Sequence, residues 1–242
     1  MIFDQFDETS RGFTGEFGQL NVYDEKLKKY VLLVPVETLP SVVGSTNTVE
    51  HDTTTSRVVG KIKAKMTIED KDCTFLLCRD NLVRLMEFTN RPAKFLVSYK
   101  DGTGWKFSGT ISIKPDDVSA SDKATGTFTI IANAVDQVPT LDVRDLMAKT
   151  CVITNEDLPT EIVITAGGSS TTYDIPVLLS DSKAQVEVES NNSAIKGSYS
   201  EGKVTITVTG STATSGIIVL KPTVAGQASW KNHILVDVIA SA

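Results

Sequence analysis

The chain is poor in the residues from which catalytic and metal sites are most often built. Its 242 residues include two histidines, three cysteines and two tryptophans. His51 and His233 lie about 180 positions apart and in no metal-ligand spacing. The GxSxG, GxxxxGK[ST] and GxGxxG motifs of hydrolases and nucleotide-binding proteins do not occur. We therefore expect no catalytic residue, no metal site and no cofactor, in a protein that is not an enzyme.

The cysteines and the apolar residues are too few or too scattered for a disulfide framework or a membrane span. Cys73, Cys78 and Cys151 are an odd number without a CxxC motif, so we expect buried, small apolar side chains. No run of about 20 apolar residues occurs. The first eight residues also lack the basic start and apolar core of a secretory signal. We expect synthesis in a cytoplasm and no membrane insertion.

Positive charge is also scarce. Residues 1–150 hold 19 Lys and Arg against 21 Asp and Glu, a net of −2, and residues 151–242 hold 5 against 9, a net of −4. Affinity for nucleic acid comes mainly from Lys and Arg, so specific binding of DNA is not expected. The one basic stretch, Lys61, Lys63 and Lys65, is more typical of a solvated strand face, or of partners for acidic residues on a neighbour.

What the chain does contain is β-strand patterning. Lys61 to Ile68 alternates basic and apolar residues, which predicts a half-buried strand. Asp101-Gly-Thr-Gly104 predicts a hairpin turn between two alternating segments. The other strands predicted in this half are Cys73–Leu77, Phe95–Tyr99, Phe107–Ile113 and Thr125–Ala132.

One helix, residues 80–89, interrupts these strands. Asp80 is the predicted N-cap, and Pro92 disfavours helical geometry in the residue before it. Arg84 and Glu87 are predicted to turn away from the buried side. The predicted apolar stripe is Leu82, Leu85, Met86 and Thr89.

Two segments of the first half lack any period. Phe3, Phe6, Phe13 and Phe17 make the N-terminal arm unusually aromatic, so we expect these rings to dock either on their own domain or on an adjacent subunit. The polar, threonine-rich loop 38–58 is long for a compact domain. It either becomes extended on a partner's strand edge or is a flexible surface loop.

The alternating pattern of the second half predicts a β-sandwich of short strands. A short helix at Val143–Ala148 ends the first domain, residues 1–150, and the second domain covers residues 151–242. Its predicted strands are Ile162–Ile164, Tyr173–Leu179, Val186–Val188, Val204–Val208, Ile217–Leu220 and Ile234–Val238.

Residues Leu20–Ala134 resemble the major tail tube proteins of long-tailed (siphovirus-type) bacteriophages. The resemblance rests on the order of the elements: a strand, a lone helix, a hairpin, the charged loop 114–123 and the run Gly126–Ala134. The resemblance implies a β-sandwich with one helix that forms hexameric rings, which stack into a tube that conducts DNA. It also implies a place in the virion tail after assembly in the host cytoplasm. The implied partners are further copies of the chain, tape-measure and tail-terminator or tip proteins, and DNA in transit without specific binding.

The second domain resembles the bacterial Ig-like modules appended to phage virion proteins. The segments that carry this resemblance are Ser190–Ile195, Gly202–Val208 and Ile234–Val238. The predicted fold class is therefore all-β with one helix, a tail-tube sandwich followed by an Ig-like sandwich. The alternative function is a cell-surface or carbohydrate-binding Ig-like β protein, which the missing export signal opposes. An enzyme of undetected class is a third possibility.

The predicted contacts between subunits come from the arm and the long loop. They are Phe3, Phe6, Phe13, Phe17, Val42, Val43, Thr46, Thr48, Val49, Thr53, Thr54 and Thr55.

Overall fold

The computed structural model of the protein describes residues 18–43, 45–51, 60–116 and 124–240. The chain divides into two compact units, the first ending at Met147 and the second beginning at Ala148. Strands dominate both units, and the described ranges contain one α-helix. The predicted all-β fold with a single helix is confirmed.

The described part of the first unit contains eight strands and the helix α1. They are β1 (Gln19–Asp24), β2 (Lys29–Leu32), β3 (Ser45–His51), β4 (Gly60–Thr67), β5 (Lys71–Leu76), α1 (Arg79–Met86), β6 (Pro92–Ser98), β7 (Gly104–Pro115) and β8 (Thr125–Val135). Six strands form one antiparallel sheet in the order β2-β1-β6-β7-β8-β5, and β3 pairs with β4.

The six-stranded sheet curls so that its two edge strands approach each other. After β2 the chain crosses to β5, where Val36 forms an antiparallel bridge with Phe75 and the N–H of Glu37 donates to the Thr74 carbonyl at 3.0 Å. Aromatic rings are part of the buried core, where Phe95 and Phe107, register partners on β6 and β7, stack at 5.3 Å between centroids.

Helix α1 differs from the predicted helix 80–89 in its bounds and in its buried side. Its N-cap is Cys78, so Asp80 lies in the first turn instead, where a carboxylate favours the helix dipole. The helix ends at Met86, before the chain turns through Asn90 with a φ of 59°. Residues after Met86 therefore do not continue the predicted stripe.

The buried side of α1 is built around Leu85, which is completely buried. Asn81 is also buried, whereas Met86, predicted to be in the stripe, is 63% exposed. Arg84, predicted to turn away, has a side chain that is only 16% exposed. Its guanidinium lies 5.0 Å from the centre of the Phe88 ring, which explains how a charged residue shares this side.

The structure also differs from the predicted long loop 38–58. Residues Ser45–His51 form β3, because β4 supplies the partner strand that these β-branched residues favour. Residues 44 and 52–58 lie outside the described residues.

The end of the first unit is a strap, residues 136–147, which crosses the sheet. The predicted helix at 143–148 is a single 3₁₀ turn at Arg144–Leu146. Val143, just before it, is completely buried and packs with Tyr30 and Leu96. Tertiary packing therefore fixes this segment where local propensity predicted a longer helix.

The second unit contains nine strands in its described part. They are β9 (Thr150–Cys151), β10 (Glu161–Thr165), β11 (Gly168–Pro176), β12 (Gln185–Ser190), β13 (Ile195–Ser200), β14 (Lys203–Gly210), β15 (Thr214–Thr223), β16 (Ala228–Ser229) and β17 (Asn232–Ile239). All six strands that the sequence predicted in this half are present, and β9, β13 and β16 are additional.

Two sheets of the second unit pack face to face. One has the order β10-β17-β15-β12 and the other β11-β14-β13. Their inward residues form one apolar cluster that includes Ile206 and Ile218, both completely buried. The strand order matches that of an immunoglobulin sandwich. Strands β11, β14 and β13 take the places of B, E and D in one sheet, and β12, β15 and β17 take those of C, F and G in the other. β10 pairs in parallel with β17 at the edge.

Candidate assembly surfaces

The structure places five of the predicted contact residues. Val42 is only 3% exposed, so its side chain packs inside its own unit, whereas its neighbour Val43 is 40% exposed. Thr46, Thr48 and Val49 lie in β3 and are opposite Met66, Lys63 and Ile62 of β4. The other predicted contacts lie outside the described residues: Phe3, Phe6, Phe13, Phe17, Thr53, Thr54 and Thr55.

The β3–β4 hairpin is a two-stranded antiparallel ribbon. Its register pairs Glu50 with Lys61 and Val49 with Ile62. Successive positions along a strand belong to opposite faces, so the Lys61 and Lys63 positions share one face and the Ile62 position belongs to the other. The register shifts between Thr46 and Thr48, which marks a bulge. The sequence of the ribbon therefore alternates between basic and apolar positions along β4.

The hairpin stands apart from the sheets of both units. In the described part of the chain, β3 and β4 pair only with each other. A two-stranded ribbon alone is at best marginally stable in water, and the outer edges of such a ribbon can pair with further strands. The hairpin is therefore a candidate contact surface.

The edges of the six-stranded sheet, in contrast, are closed by their own unit. On β5, the Leu76 carbonyl accepts the Asn81 side-chain amide at 2.8 Å. On β2, the Leu32 carbonyl accepts the guanidinium of Arg84 at 3.2 Å. Both donors belong to α1, which thereby bridges the two edges of the curled sheet. Together with the Glu37 bond described above, these contacts leave little of either edge for a partner strand.

The outward side of β5, β8 and β7 forms a second distinct surface, which we call the hydroxyl face. Thr129 donates to Asp72 at 2.6 Å, and Thr127 donates to Asp116 at 3.2 Å. Thr125 also donates to Asp116, at 3.4 Å. The hydroxyl protons are thus turned toward carboxylates of the same surface. The face presents acceptor oxygens and two carboxylates to solvent, together with one lysine and two exposed apolar side chains. Its members are Asp72, Thr74, Leu76, Thr110, Ser112, Lys114, Asp116, Thr125, Thr127, Thr129 and Ile131.

The cysteines are all free, but they do not share one environment. Cys73 and Cys151 are buried as expected, whereas Cys78 is exposed at the N-cap of α1. Burial, with a smaller contribution from the negative charge of Asp72, raises the pKa of the Cys73 thiol to about 12. That thiol is therefore protonated at neutral pH and is a packing group.

The described ranges hold no group of three His, Cys, Asp or Glu side chains that could bind a metal ion. The single helix found in those ranges is too short and too polar to cross a membrane.

Sequence reasoning missed the closed sheet edges. Asn81 and Arg84 carry no motif, and their partners are backbone carbonyls more than four residues away, so no local pattern marks them. The alternating threonines of β8 were visible in the sequence, but the acids that accept their hydroxyl protons come from other segments.

No protein-family model matches the chain, and a search of curated proteins found no match either. The function is therefore inferred from the surfaces of the chain itself.

Proposed function

We propose that the chain is the structural subunit of a phage tail tube. Copies polymerise as hexameric rings, the rings stack, and DNA passes through the tube. The observation that carries the proposal is the β3–β4 hairpin, a ribbon with alternating basic and apolar residues along β4 that no other described strand pairs with. The resemblance of residues 20–134 to tail tube proteins adds the order of elements, a hairpin and a lone helix in one β unit.

The hairpin suits a contact between copies because, among the described strands, β3 and β4 pair only with each other. Val49 and Ile62 are paired apolar positions of the ribbon, and apolar side chains gain free energy when another surface covers them. The outer edges of the ribbon, which pair with no other described strand, can offer backbone donors and acceptors to a second strand. In the proposed tube, this ribbon reaches a copy in the adjacent ring.

The hydroxyl face suits the wall of a conduit for DNA. Phosphates are held mainly by Lys, Arg and N–H or O–H donors. On this face Thr127 and Thr129 already donate their hydroxyl protons to Asp116 and Asp72, and the acids repel phosphate. Lys114, the register partner of Thr127, adds a single positive charge among the members of the face. DNA would therefore be held only weakly, which agrees with the low positive charge of the chain.

The second unit has a core of its own. In this proposal it is a module displayed on the tube. The same sandwich favours the second candidate, a cell-surface or carbohydrate-binding protein, because such modules commonly carry binding surfaces. The two candidates differ in whether copies of the chain assemble.

Electron microscopy of the purified full-length protein tests the proposal. Rings with sixfold symmetry, alone or stacked into tubes with a central channel, are the expected result. Dispersed monomers over a wide range of concentration and ionic strength would favour the second candidate.

A matched pair of substitutions tests the role of the hairpin. Ile62→Asp places a charge at an apolar position of β4 and should abolish tubes. The thermal midpoint of the first unit should stay near that of the parent, because β4 is not part of the six-stranded sheet. Val163→Asp introduces the same charge at a 59% exposed position of the second unit and should leave tubes intact. Tubes formed by Ile62→Asp would remove the hairpin from the assembly contacts.

A further inference from the structure

The second unit pairs the segment through which the chain enters it with the segment that carries its last strands. The entry segment, residues 149–166, contains β9 and β10, and the exit segment, residues 228–239, contains β16 and β17. β9 pairs with β16, and β10 pairs with β17, and both pairs are parallel. Every other strand pair in the described part of this unit is antiparallel. Parallel pairing is therefore confined to the two places where the entry and exit segments meet.

Backbone hydrogen bonds join the two segments from one end to the other, at 2.8 to 3.0 Å. The donor and acceptor residues are Ala228 and Lys149, Trp230 and Cys151, Leu235 and Thr160, and, in the opposite sense, Ala166 and Ile239. The pairing thus begins where the chain enters the unit and continues to the end of β17.

The stretch between β9 and β10 is also tied to the rest of the unit. The Asn155 side-chain amide donates to the Pro176 carbonyl at 3.2 Å, and its Oδ1 accepts the Leu178 N–H at 2.6 Å. The Thr154 N–H donates to the Leu178 carbonyl at 2.9 Å. The entry segment therefore cannot be extended between its two strands without breaking these bonds.

Buried side chains hold β10 and β17 in register. Ile162 and Ile164 of β10 are 6% and 4% exposed, and Ile234 and Val236 of β17 are completely buried. All four belong to the apolar cluster between the sheets. Because protein interiors are close-packed, one strand cannot slide along the other without moving these side chains out of their places.

The direction of the strands decides how tension acts on this pairing. In each parallel pair, the entry strand is connected to the first unit at its beginning, whereas the exit strand continues toward the end of β17. Tension between residue 149 and residue 239 therefore pulls the two segments along each other and loads their hydrogen bonds together. If the two points of attachment lay side by side, the same tension would open the bonds one after another.

We propose that the second unit is a shear clamp, which withstands tension applied between Lys149 and Ile239. Parallel pairs are slightly less stable per residue than antiparallel pairs, so their use at this one place adds mechanical resistance rather than stability. The clamp keeps the unit folded while its carrier is pulled away from a surface to which the β17 end is bound. This inference does not depend on the proposed tube, because it concerns bonds within the second unit alone.

Single-molecule pulling of one variant in two directions tests the clamp. In Thr165→Cys/Ile239→Cys/Cys78→Ser, the exposed natural cysteine is removed, and the new cysteines are register partners at the same end of β10 and β17. Handles on these cysteines pull the two strands apart from that end, whereas handles on the two ends of the full-length chain load the segments in shear. In the second case, the second unit is recognised by a gain in length of about 300 Å, shorter than that of the longer first unit.

The second unit should unfold at a clearly higher force when the chain is pulled by its ends than when the cysteines are pulled apart. Forced unfolding is governed by the rate of unfolding, so the difference arises from direction and not from the stability of the variant, which is the same in both cases. Equal forces in the two directions, or a higher force across the cysteines, would overturn the proposal.

A matched pair of proline substitutions asks whether the bonds between β10 and β17 carry the load. Ala166→Pro removes the donor to the Ile239 carbonyl. Thr165→Pro removes an N–H that points away from β17, because alternate residues of a parallel strand face the partner. Pulled by its ends, the chain with Ala166→Pro should unfold its second unit at a lower force than the chain with Thr165→Pro. Equal forces would contradict the clamp, and if Ala166→Pro does not fold, the comparison of the two directions decides.

Discussion

The two units close their sheets by different means. The second unit packs two sheets around one apolar cluster, and β10, β14, β15 and β17 contribute to it by simple alternation. The first unit curls one sheet and then closes its edges with single side chains, Asn81 and Arg84, and with the strap. The difference shows that a local pattern suffices for a sandwich, whereas a curled sheet depends on contacts between segments distant in sequence.

The burial of individual strands shows the same contrast. In β14 and β15, buried residues occur at every second position. In β6, Phe95, Leu96, Val97 and Ser98 are all buried, because the core covers one face and the strap side covers the other. A strand that is buried on both faces does not alternate between polar and apolar residues, so its sequence does not indicate which face is buried.

The largest effect on stability is expected at Leu85, the residue of α1 that is buried in the core. Leu85→Asp places an unpaired carboxylate at a completely buried position, which should cost on the order of 4 kcal/mol or more and unfold the first unit. The second unit, which has its own core, should keep its thermal transition. Calorimetry of the full chain would show loss of one transition and retention of the other.

Met86→Asp is the control, since the neighbouring side chain is 63% exposed. It should leave both transitions near those of the parent. Simultaneous loss of both transitions in Leu85→Asp would show that the units do not unfold independently.

The converse substitution addresses the second unit. Ile218→Ala leaves a cavity in the cluster between its sheets and should destabilise that unit by about 2–5 kcal/mol, with the first unit unchanged. Val219→Ala, the next residue along β15, is half-buried and should cost clearly less. Denaturant unfolding followed by a probe in each unit would separate the two effects. Equal destabilisation by the two variants would contradict the inward alternation of β15.

These differences explain which parts of the fold could be predicted from the sequence. Six strands of the second unit and the hairpin around Asp101 were predictable, because alternation and turn residues are local signals, whereas β9, β13 and β16 were not predicted. The bounds of α1 were not, because its buried side is set by Leu85 and Asn81 facing a curled sheet. The hairpin residues Thr48 and Val49 were predicted as contacts from composition alone, and their pairing with Lys63 and Ile62 needed the structure.

A smaller effect is expected at the edge closure by Arg84. Arg84→Ala removes the bond to the Leu32 carbonyl and the contact with the Phe88 ring. A hydrogen bond from a charged group contributes about 1.5–3 kcal/mol, so the first unit should lose roughly that much stability. Urea unfolding would measure it.

Arg91→Ala is the matched control for Arg84. Arg91 also lies over the Phe88 ring, at 4.7 Å, but its side chain is exposed. It should therefore cost much less than Arg84→Ala. Similar values for the two variants would assign the Arg84 effect to the ring contact rather than to the closed edge.

The smallest expected effect is a pH dependence at the turn that receives the strap. The Thr103 backbone N–H and then its hydroxyl, both donating to the Asp101 carboxylate, lower the pKa of that group below its usual 3.8. Because its pKa is lower in the folded state, the Asp101 carboxylate stabilises the first unit at pH values above its pKa in the unfolded chain. This stabilisation is lost as the pH falls through its pKa in the folded state. Because the carboxylate is exposed, its contribution to stability is small.

The substitution Asp101→Asn tests this pH dependence. Between about pH 5 and pH 3, the thermal midpoint of the first unit should fall less steeply in the variant than in the parent, since one group with a lowered pKa is gone. NMR titration of the parent supplies the direct measurement, and a pKa for Asp101 at or above 3.8 would mean that the turn bonds do not favour its charged form.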